Sequence, residues 1–223
     1  MEANTSKRKQ DFCNLQLCSG MDFTGRYDLP QLNPCHSLLP ERFLPFNQAL
    51  SSKDYDCGVH FYIDDYQFER VWRLPKRYLP VLKRFRCVIS PDFSLFVDAP
   101  LAVNIWNVYR NRLIARWLQD NGVQVIPSVS WGNADTLRFC FDGIPVGSLL
   151  AIGCTAYGRK HTQRGLFVQN IRTLMELKRP SLLLVYGKPF DTGYHNVKFI
   201  EDHISKLKRY GKRKPTQLPE TLL

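Results

Sequence analysis

The fold is decided by residues 87–131, which read CVISPDFSLFVDAPLAVNIWNVYRNRLIARWLQDNGVQVIPSVSW. Two short apolar runs, residues 87–89 and 123–129, stand on either side of a segment of helix length. Pro91 ends the first run, because proline has no N–H to donate to a sheet ladder. The segment from residue 101 to 121 contains neither proline nor glycine. The pattern predicts a strand, a long helix and a second strand.

The central segment carries the spacing of an amphipathic helix. Large apolar side chains recur at steps of three or four residues, at Trp106, Tyr109, Leu113 and Trp117. We expect Asp98 to cap this helix, with Pro100 in its first turn. Asn121 and Gly122 are typical of a left-handed helix end. Two strands joined by such a helix run parallel, with a right-handed crossover.

Similar patterns along the chain indicate an α/β fold with a mostly parallel sheet and crossover helices. The predicted strands are residues 58–63, 87–89, 123–129, 149–154 and 181–186. The predicted helices begin at residue 67 (resuming at Pro75), 100, 165 and 196, and the last extends to residue 209. A partial or distorted TIM-like barrel and an open doubly wound sheet both fit this order. The first strand is followed by no glycine-rich phosphate loop, which argues against a dinucleotide site.

The composition suggests three parts: an irregular N-terminal segment at residues 1–56 that packs on the core, an α/β core domain at 57–205, and a basic tail at 206–223. The chain has 223 residues, 44% of them apolar, and no apolar run of membrane-spanning length. Seven cysteines in scattered positions favour a reducing compartment, so we expect a cytoplasmic protein. The N-terminal cysteines and His36 match no recognised zinc spacing, and no metal site is predicted.

The formal net charge of +11 is concentrated near the two ends of the sequence. Nine of the 31 basic residues are Lys7, Arg8, Lys9, Lys206, Lys208, Arg209, Lys212, Arg213 and Lys214. The remaining 22 stand against 20 acidic residues. A basic tail can bind nucleic acid by neutralising phosphates, and it can equally be a solvated segment that aids solubility.

Both architectures gather functional groups outside the carboxyl ends of the parallel strands. The residues at those ends are Asp64, Asp65, Asp92, Ser94, Ser130, Trp131, Thr155, Tyr157, Tyr186 and Lys188. We therefore predict a polar-ligand site in which Asp92 and one of Asp64 and Asp65 are catalytic carboxylates. Trp131, Tyr186 and Lys188 are the predicted binding residues at the same ends.

Each of these residues also has a purely structural interpretation. Asp64 or Asp65 can cap the next helix, Asp92 can close a turn after Pro91, and Trp131 can belong to the core. On the long helix, Asn107 and Arg110 are candidate ligand-binding residues. Arg110 or Arg112 can instead pair with Asp92 or Asp98, as buried arginines usually do. Zinc-hydrolase and redox motifs are absent from the sequence.

Five motifs of this chain occur together, in the same order, in a known family. They are HFYIDDYQFERVW, SPDFSLFVDAPL, IWNVYRNR, GVQVIPSVSW and CFDGIP, and the likeness spans about residues 25 to 190. The chain resembles the domain-of-unknown-function 4417 family, found mainly in phages, mobile elements and their bacterial hosts. The resemblance implies a phage or mobile-element origin and an intracellular setting, and it supplies no chemistry.

Two functions fit these observations. The first is an enzyme that acts on a nucleotide or nucleic acid through its strand-end carboxylates, with Trp131 as a stacking wall. The second is a non-catalytic nucleic-acid- or protein-binding factor in mobile-element replication or host takeover. Cofactor and oligomeric state are left undetermined by the sequence.

Overall fold

The structure is a computed structural model that describes residues 12–154 and 161–200, without the side chains of residues 161–164 and 166. Its strands are β1 Phe23–Thr24, β2 Leu29–Pro30, β3 Phe43–Pro45, β4 Gly58–His60, β5 Cys87–Ile89, β6 Val125–Ile126, β7 Leu149–Gly153, β8 Leu182–Tyr186 and β9 Val197–Ile200. Its α-helices are α1 Phe46–Ala49, α2 Glu69–Arg73, α3 Pro75–Leu82, α4 Leu101–Asp120 and α5 His161–Lys178. Short 3₁₀ turns lie at Leu15–Leu17, Asp65–Gln67 and Thr136–Arg138.

Two parallel sheets form the body of the molecule. Strands β3, β4, β5 and β6 make a four-stranded sheet, and β7, β8 and β9 make a three-stranded sheet, each in chain order. A bridge between Ser128 and Ala151 connects them, with the Val129 N–H donating to the Ala151 carbonyl at 2.9 Å. Within the described part of the chain the strands neither close into a barrel nor reverse their order as in a doubly wound sheet. The mixed α/β, parallel-sheet class is thus confirmed, and a closed TIM-like barrel is not.

The strand–helix–strand unit at the centre of the sequence forms as expected. β5 pairs with β6 in parallel, Val88 opposite Val125, and α4 connects them. The predicted cap at Asp98 is wrong. The helix begins at Leu101, so Pro100 occupies the cap position and no side chain caps it. Asp98 lies two residues too early for its carboxylate to serve there.

Two regions depart from the sequence prediction. The helix expected from residue 196 is wrong at its start, because β9 forms there and pairs in parallel with β8, Leu183 opposite Val197. The rest of that predicted helix lies outside the described residues. At the edge of the four-stranded sheet, β3 belongs to the segment expected to be irregular. It pairs with β4, with Phe43 opposite Gly58. Short edge strands have too few residues to show an alternating pattern.

Apolar packing occurs on both sides of the strands. The larger core includes residues of the sheets and helices, with Val59, Trp72 and Leu113 at 0–1% exposure. A second, smaller core contains residues from both sheets, among them Cys87, Ile89, Ile126, Ala151 and Leu184. The two sheets therefore share an apolar interior of their own. No helix in the described ranges combines the length and apolar composition that a bilayer crossing requires.

Candidate functional site

Side chains from four strand ends come together at one place. The Tyr62 and Tyr186 rings stack with centroids 5.0 Å apart, and the His60 ring lies 4.4 Å from Tyr186. Gly153 lies close to Tyr62 and Asp92. A Cβ atom at this position would lie 2.9 Å from the Tyr62 ring and 3.7 Å from an Asp92 carboxylate oxygen. We call this group, with Ser130, the mouth: Tyr62, Asp92, Ser130, Gly153 and Tyr186.

Asp92 is the acidic group of the mouth. It is half-buried and accepts a hydrogen bond from the Ser130 hydroxyl. Burial raises the pKa of Asp92 to about 7, the Ser130 bond opposes the rise, and the nearby charge of Asp65 adds to it. A carboxyl group with such a pKa is present in both protonation states at neutral pH. It can therefore give or take a proton there.

Tyr62 supplies a second polar group to the mouth. Its hydroxyl oxygen is buried and has no hydrogen-bond partner among the described residues. Burial, with a smaller contribution from the charge of Asp92, raises the pKa of Tyr62 well above its ordinary value. The phenol therefore keeps its proton and remains a hydrogen-bond donor.

The two aspartates that follow β4 have different positions. Asp65 accepts hydrogen bonds from the Ser94 backbone N–H at 3.0 Å and from the Ser94 hydroxyl at 2.8 Å. It thereby ties the loop after β4 to the loop after β5 and is close enough to raise the pKa of Asp92. Asp64 is exposed and accepts a bond from the Gln67 amide at 3.4 Å. Only Asp65 of the pair is thus associated with the mouth.

Asn107 and Arg110, the candidate binding residues of α4, support the loop after β5. The Asn107 amide donates to the Ser94 carbonyl at 2.6 Å. Arg110 donates to Glu69 at 2.7 Å and to the Asn107 side chain at 2.6 Å, with its guanidinium 3.9 Å from the Phe93 ring centre. The partner of Arg110 is therefore Glu69, neither Asp92 nor Asp98. The Asn107 amide and both terminal nitrogens of Arg110 donate within the protein, which favours a positioning role, and the buried Arg110 Nε has no partner among the described residues.

Behind the mouth lies a second polar cluster, which we call the clamp: Ser90, Asn111, Arg112 and Ser128. The Ser90 and Ser128 hydroxyls are 2.8 Å apart, and the Asn111 amide donates to Ser128 at 2.9 Å. Arg112 is 2% exposed, and burial lowers its pKa to about 10. It donates to three carbonyl oxygens, those of Ser128 at 3.2 Å, Cys140 at 2.7 Å and Asp142 at 2.9 Å. The clamp fixes the ends of β5 and β6 relative to α4.

The other predicted site residues differ in whether they belong to the mouth. Tyr186 belongs to the mouth, whereas Trp131 is 3% exposed and packs on Phe167 with ring centres 5.2 Å apart. This burial does not support a stacking role for Trp131. Lys188 is exposed, and only its carbonyl oxygen contacts Cys154, at 4.0 Å from the sulfur. Seven predicted residues lie outside the described residues: Thr155, Tyr157, Lys208, Arg209, Lys212, Arg213 and Lys214.

Sequence reasoning missed Tyr62 and Gly153. The first strand was expected to run to residue 63, so its functional end was read at Asp64 and Asp65. β4 ends at His60, and the side chain two residues later, Tyr62, joins the mouth. His60 and Tyr62 are two residues apart, so they share one face of an extended chain, and this spacing is the sequence signal that indicates Tyr62.

The cysteines and the described acidic residues were compared with the requirements of a metal site. All seven cysteines are free thiols. Within residues 12–154 and 161–200, no three His, Cys, Asp or Glu side chains come together as metal ligands.

Comparisons with known proteins identify relatives of this chain. Residues 21–203 match the family described as Domain of unknown function (DUF4417). The Gene 1 protein of Mycobacterium phage L5 is 35% identical over 189 residues, which cover 83% of this chain and 81% of that protein. The Gene 1 protein of Mycobacterium phage D29 is also 35% identical over 189 residues, covering 68% of its length. No solved structure matches the chain.

Proposed function

We propose a function for this chain, which belongs to the family described as Domain of unknown function (DUF4417), from the residues of the mouth. The family description itself names no activity. The protein is an enzyme that acts on a nucleotide or nucleic acid, and Asp92 is its general acid–base. Tyr62 is the hydrogen-bond donor to the substrate. The observation that carries the proposal is a half-buried carboxyl group with a pKa of about 7 beside a phenol that lacks an acceptor among the described residues.

The proton chemistry follows from this pair. Asp92 in its ionised form accepts a proton from the attacking group, and in its protonated form it returns one to the leaving group. The Ser130 hydroxyl holds the carboxyl group in place by donating to it. The Tyr62 hydroxyl donates to an oxygen that gains negative charge during the reaction, which is the usual task of a preorganised donor. Positioning of the loop by Asp65 and Ser94 keeps these groups together.

The aromatic rings of the mouth support a nucleotide as the substrate. Tyr62 is partly exposed and backed by the Tyr186 ring, so it offers a rigid surface for a base to stack on. In this proposal Tyr62 replaces Trp131 as the stacking residue, because Trp131 is buried in the core. Asp64 and Lys188, both exposed, are assigned no catalytic role.

We also propose that the two sheets form a partial, TIM-like barrel. The strands follow chain order across both sheets, the Ser128–Ala151 bridge links them, and they share a common apolar interior. The ring contact between Tyr62 and Tyr186 joins the second strand of the first sheet to the second strand of the other. Enzymes of the barrel class carry their sites at the carboxyl ends of the strands, which is where the mouth lies.

The test is a search for turnover with a matched pair of variants. The purified full-length protein is incubated with nucleoside mono-, di- and triphosphates and with single- and double-stranded DNA and RNA, and products are identified by mass spectrometry. For any substrate that reacts, we expect Asp92→Asn to lower kcat by about 10²–10⁴-fold. Asp98→Asn, which neutralises an exposed carboxylate, is the control and keeps full activity. The pH profile of kcat/KM should have an inflection near 7 that the Asp92→Asn variant lacks.

The opposite outcome favours the second function class. Full activity of Asp92→Asn, or no reaction with any of these substrates, contradicts the proposal. Salt-sensitive nucleic-acid binding that survives Asp92→Asn and disappears when residues 206–223 are deleted would identify a non-catalytic binding factor. The concentration of basic residues in that segment is the observation that favours this alternative.

A further inference from the structure

The body of the molecule is nearly neutral overall, but its charge is unevenly distributed. Seven basic residues and no acidic residue occur between positions 70 and 86. They lie on α2, on α3 and on the turn that follows α3. We call six of them the basic face: Arg70, Arg73, Lys76, Arg77, Lys83 and Arg84. The seventh, Arg86, is paired with Asp56 at 2.9 Å.

The basic face is held rigidly and points outward. Trp72, Tyr78 and Leu82 bury the opposite side of the two helices, at 1%, 9% and 0% exposure. Every member of the basic face is exposed. Proline at the start of α3 and the packed junction with α2 fix the direction of the two short helices. The cations are therefore presented from a folded scaffold.

Most of this charge has no acidic partner. Among the described residues, no carboxylate lies within ion-pair distance of Arg70, Lys76, Arg77 or Lys83. The Arg70 guanidinium donates to the neutral Gln67 carbonyl at 3.0 Å. Arg70 and Arg84 also lie over the Phe46 and Tyr55 rings, 5.8 and 3.9 Å from the ring centres. The charge of Lys76, Arg77 and Lys83 is offset by no carboxylate of the described residues, which favours a role in binding an anionic partner.

The basic face begins, in sequence, next to a loop that contributes to the surroundings of the mouth. Arg70 follows the loop after β4, and in that loop Asp65 is bonded to Ser94 beside Asp92. The loop also carries Tyr66, whose side chain is 77% exposed. Exposed aromatic and basic side chains along one track are typical of surfaces that bind nucleic acid.

We propose that the basic face binds the phosphodiester backbone of a nucleic acid, without reading its sequence. Arg70, Lys76, Arg77 and Lys83 are the proposed phosphate contacts, and the backbone follows α3 and α2 in the direction of the mouth. The residues of this binding surface are different from those of the basic segment at residues 206–223. The proposal does not depend on catalysis by Asp92, because it concerns charges on the outer side of the helices.

The experiment compares two full-length variants with equal loss of charge. The test variant carries Lys76→Gln, Arg77→Gln and Lys83→Gln. The control carries Arg26→Gln, Arg172→Gln and Lys198→Gln, three exposed cations elsewhere on the molecule. Binding of a labelled DNA duplex of about 30 base pairs, and of its single strand and RNA equivalents, is measured by fluorescence anisotropy at several salt concentrations. Each lost phosphate contact should reduce the salt slope by about 0.9 for a duplex or about 0.7 for a single strand.

We expect the test variant to bind at least about tenfold more weakly at about 0.1 M salt, with a slope lower by about 2–3 for a duplex. The control should keep the wild-type slope to within about one unit, and both variants should melt like the wild type, because the altered side chains are exposed. Three results would overturn the proposal. They are equal binding by test and control variants, binding lost only when Lys208, Arg209, Lys212, Arg213 and Lys214 become Gln, and binding of phosphatidylglycerol vesicles with none of nucleic acid.

Discussion

The clamp and the mouth are neighbouring polar clusters that both include residues from the ends of β5 and β6, and they differ in how their polar groups are satisfied. In the clamp, Arg112 donates to three carbonyl oxygens, and the two serine hydroxyls bond each other. In the mouth, the Tyr62 hydroxyl has no partner among the described residues, and burial raises the pKa of Asp92 to about 7. Both clusters contain a serine from the end of β6 and a charged group.

The difference shows what a charged group near a strand end does in each setting. Burial lowers the pKa of Arg112 only to about 10, so the guanidinium keeps its charge at neutral pH and its donors hold backbone segments together. A carboxyl group that is buried with one hydroxyl donor and a second carboxylate nearby is poorly stabilised in its ionised form. We therefore expect the clamp to contribute to stability, and the mouth to hold a carboxyl group that titrates near neutral pH. The following predictions test this division.

The largest effect is expected from Arg112→Met. The substitution fills the space but leaves the carbonyl oxygens of Ser128, Cys140 and Asp142 without their donor. We expect the free energy of unfolding, measured by urea denaturation, to fall by about 3–5 kcal/mol. Arg138→Met, at an exposed arginine, is the control and should change it by less than about 0.5 kcal/mol. A loss under about 1 kcal/mol at Arg112 would show that the clamp does not hold the strand ends.

A smaller, pH-dependent effect is expected from Asp92→Asn. The folded-state pKa of about 7 lies above the unfolded value, so the folded protein binds more protons between about pH 4 and 7 and loses stability as the pH rises through that window. Asparagine does not titrate. The variant should match the wild type near pH 4 and be more stable by on the order of 2–4 kcal/mol at pH 8. Denaturation curves at both pH values measure the difference, and a variant less stable than the wild type at pH 8 contradicts the raised pKa.

The smallest effect is expected from Tyr62→Phe, compared with Ser90→Ala in the clamp. Phenylalanine keeps the ring stack with Tyr186 and removes a buried hydroxyl that has no partner among the described residues. Its free energy of unfolding should be unchanged or higher by up to about 1 kcal/mol. Ser90→Ala removes bonds to the Ser128 N–H and hydroxyl and should cost about 1–3 kcal/mol. Equal losses of unfolding free energy in the two variants would contradict the proposed difference between the clamp and the mouth.

The sequence was most informative where local and long-range signals agree. β5 and α4 were predicted almost to the residue, because a β-branched run, a proline stop and a helical repeat follow one another. β3 and β9 were not predicted, because three or four residues at a sheet edge carry no period and depend on their neighbours for pairing.

The candidate site was predictable in part for similar reasons. Asp92 could be identified from its place after a strand of the central unit. The association of Tyr62 with Gly153 could not, because it depends on a contact between strands distant in the chain. The partners of Arg112 are backbone carbonyls, which every residue has and no motif reveals.

The agreement between strand order and chain order has a consequence for folding during synthesis. All five parallel ladders join segments that are distant in sequence, so pairing these strands is slow compared with forming a helix. Within each sheet, however, the pairing partner of every new strand is the strand synthesised just before it. The four-stranded sheet is complete at Ile126, about a hundred residues before the end of the chain. A nascent chain can thus assemble from its N-terminal side, adding strands in the order in which they are translated.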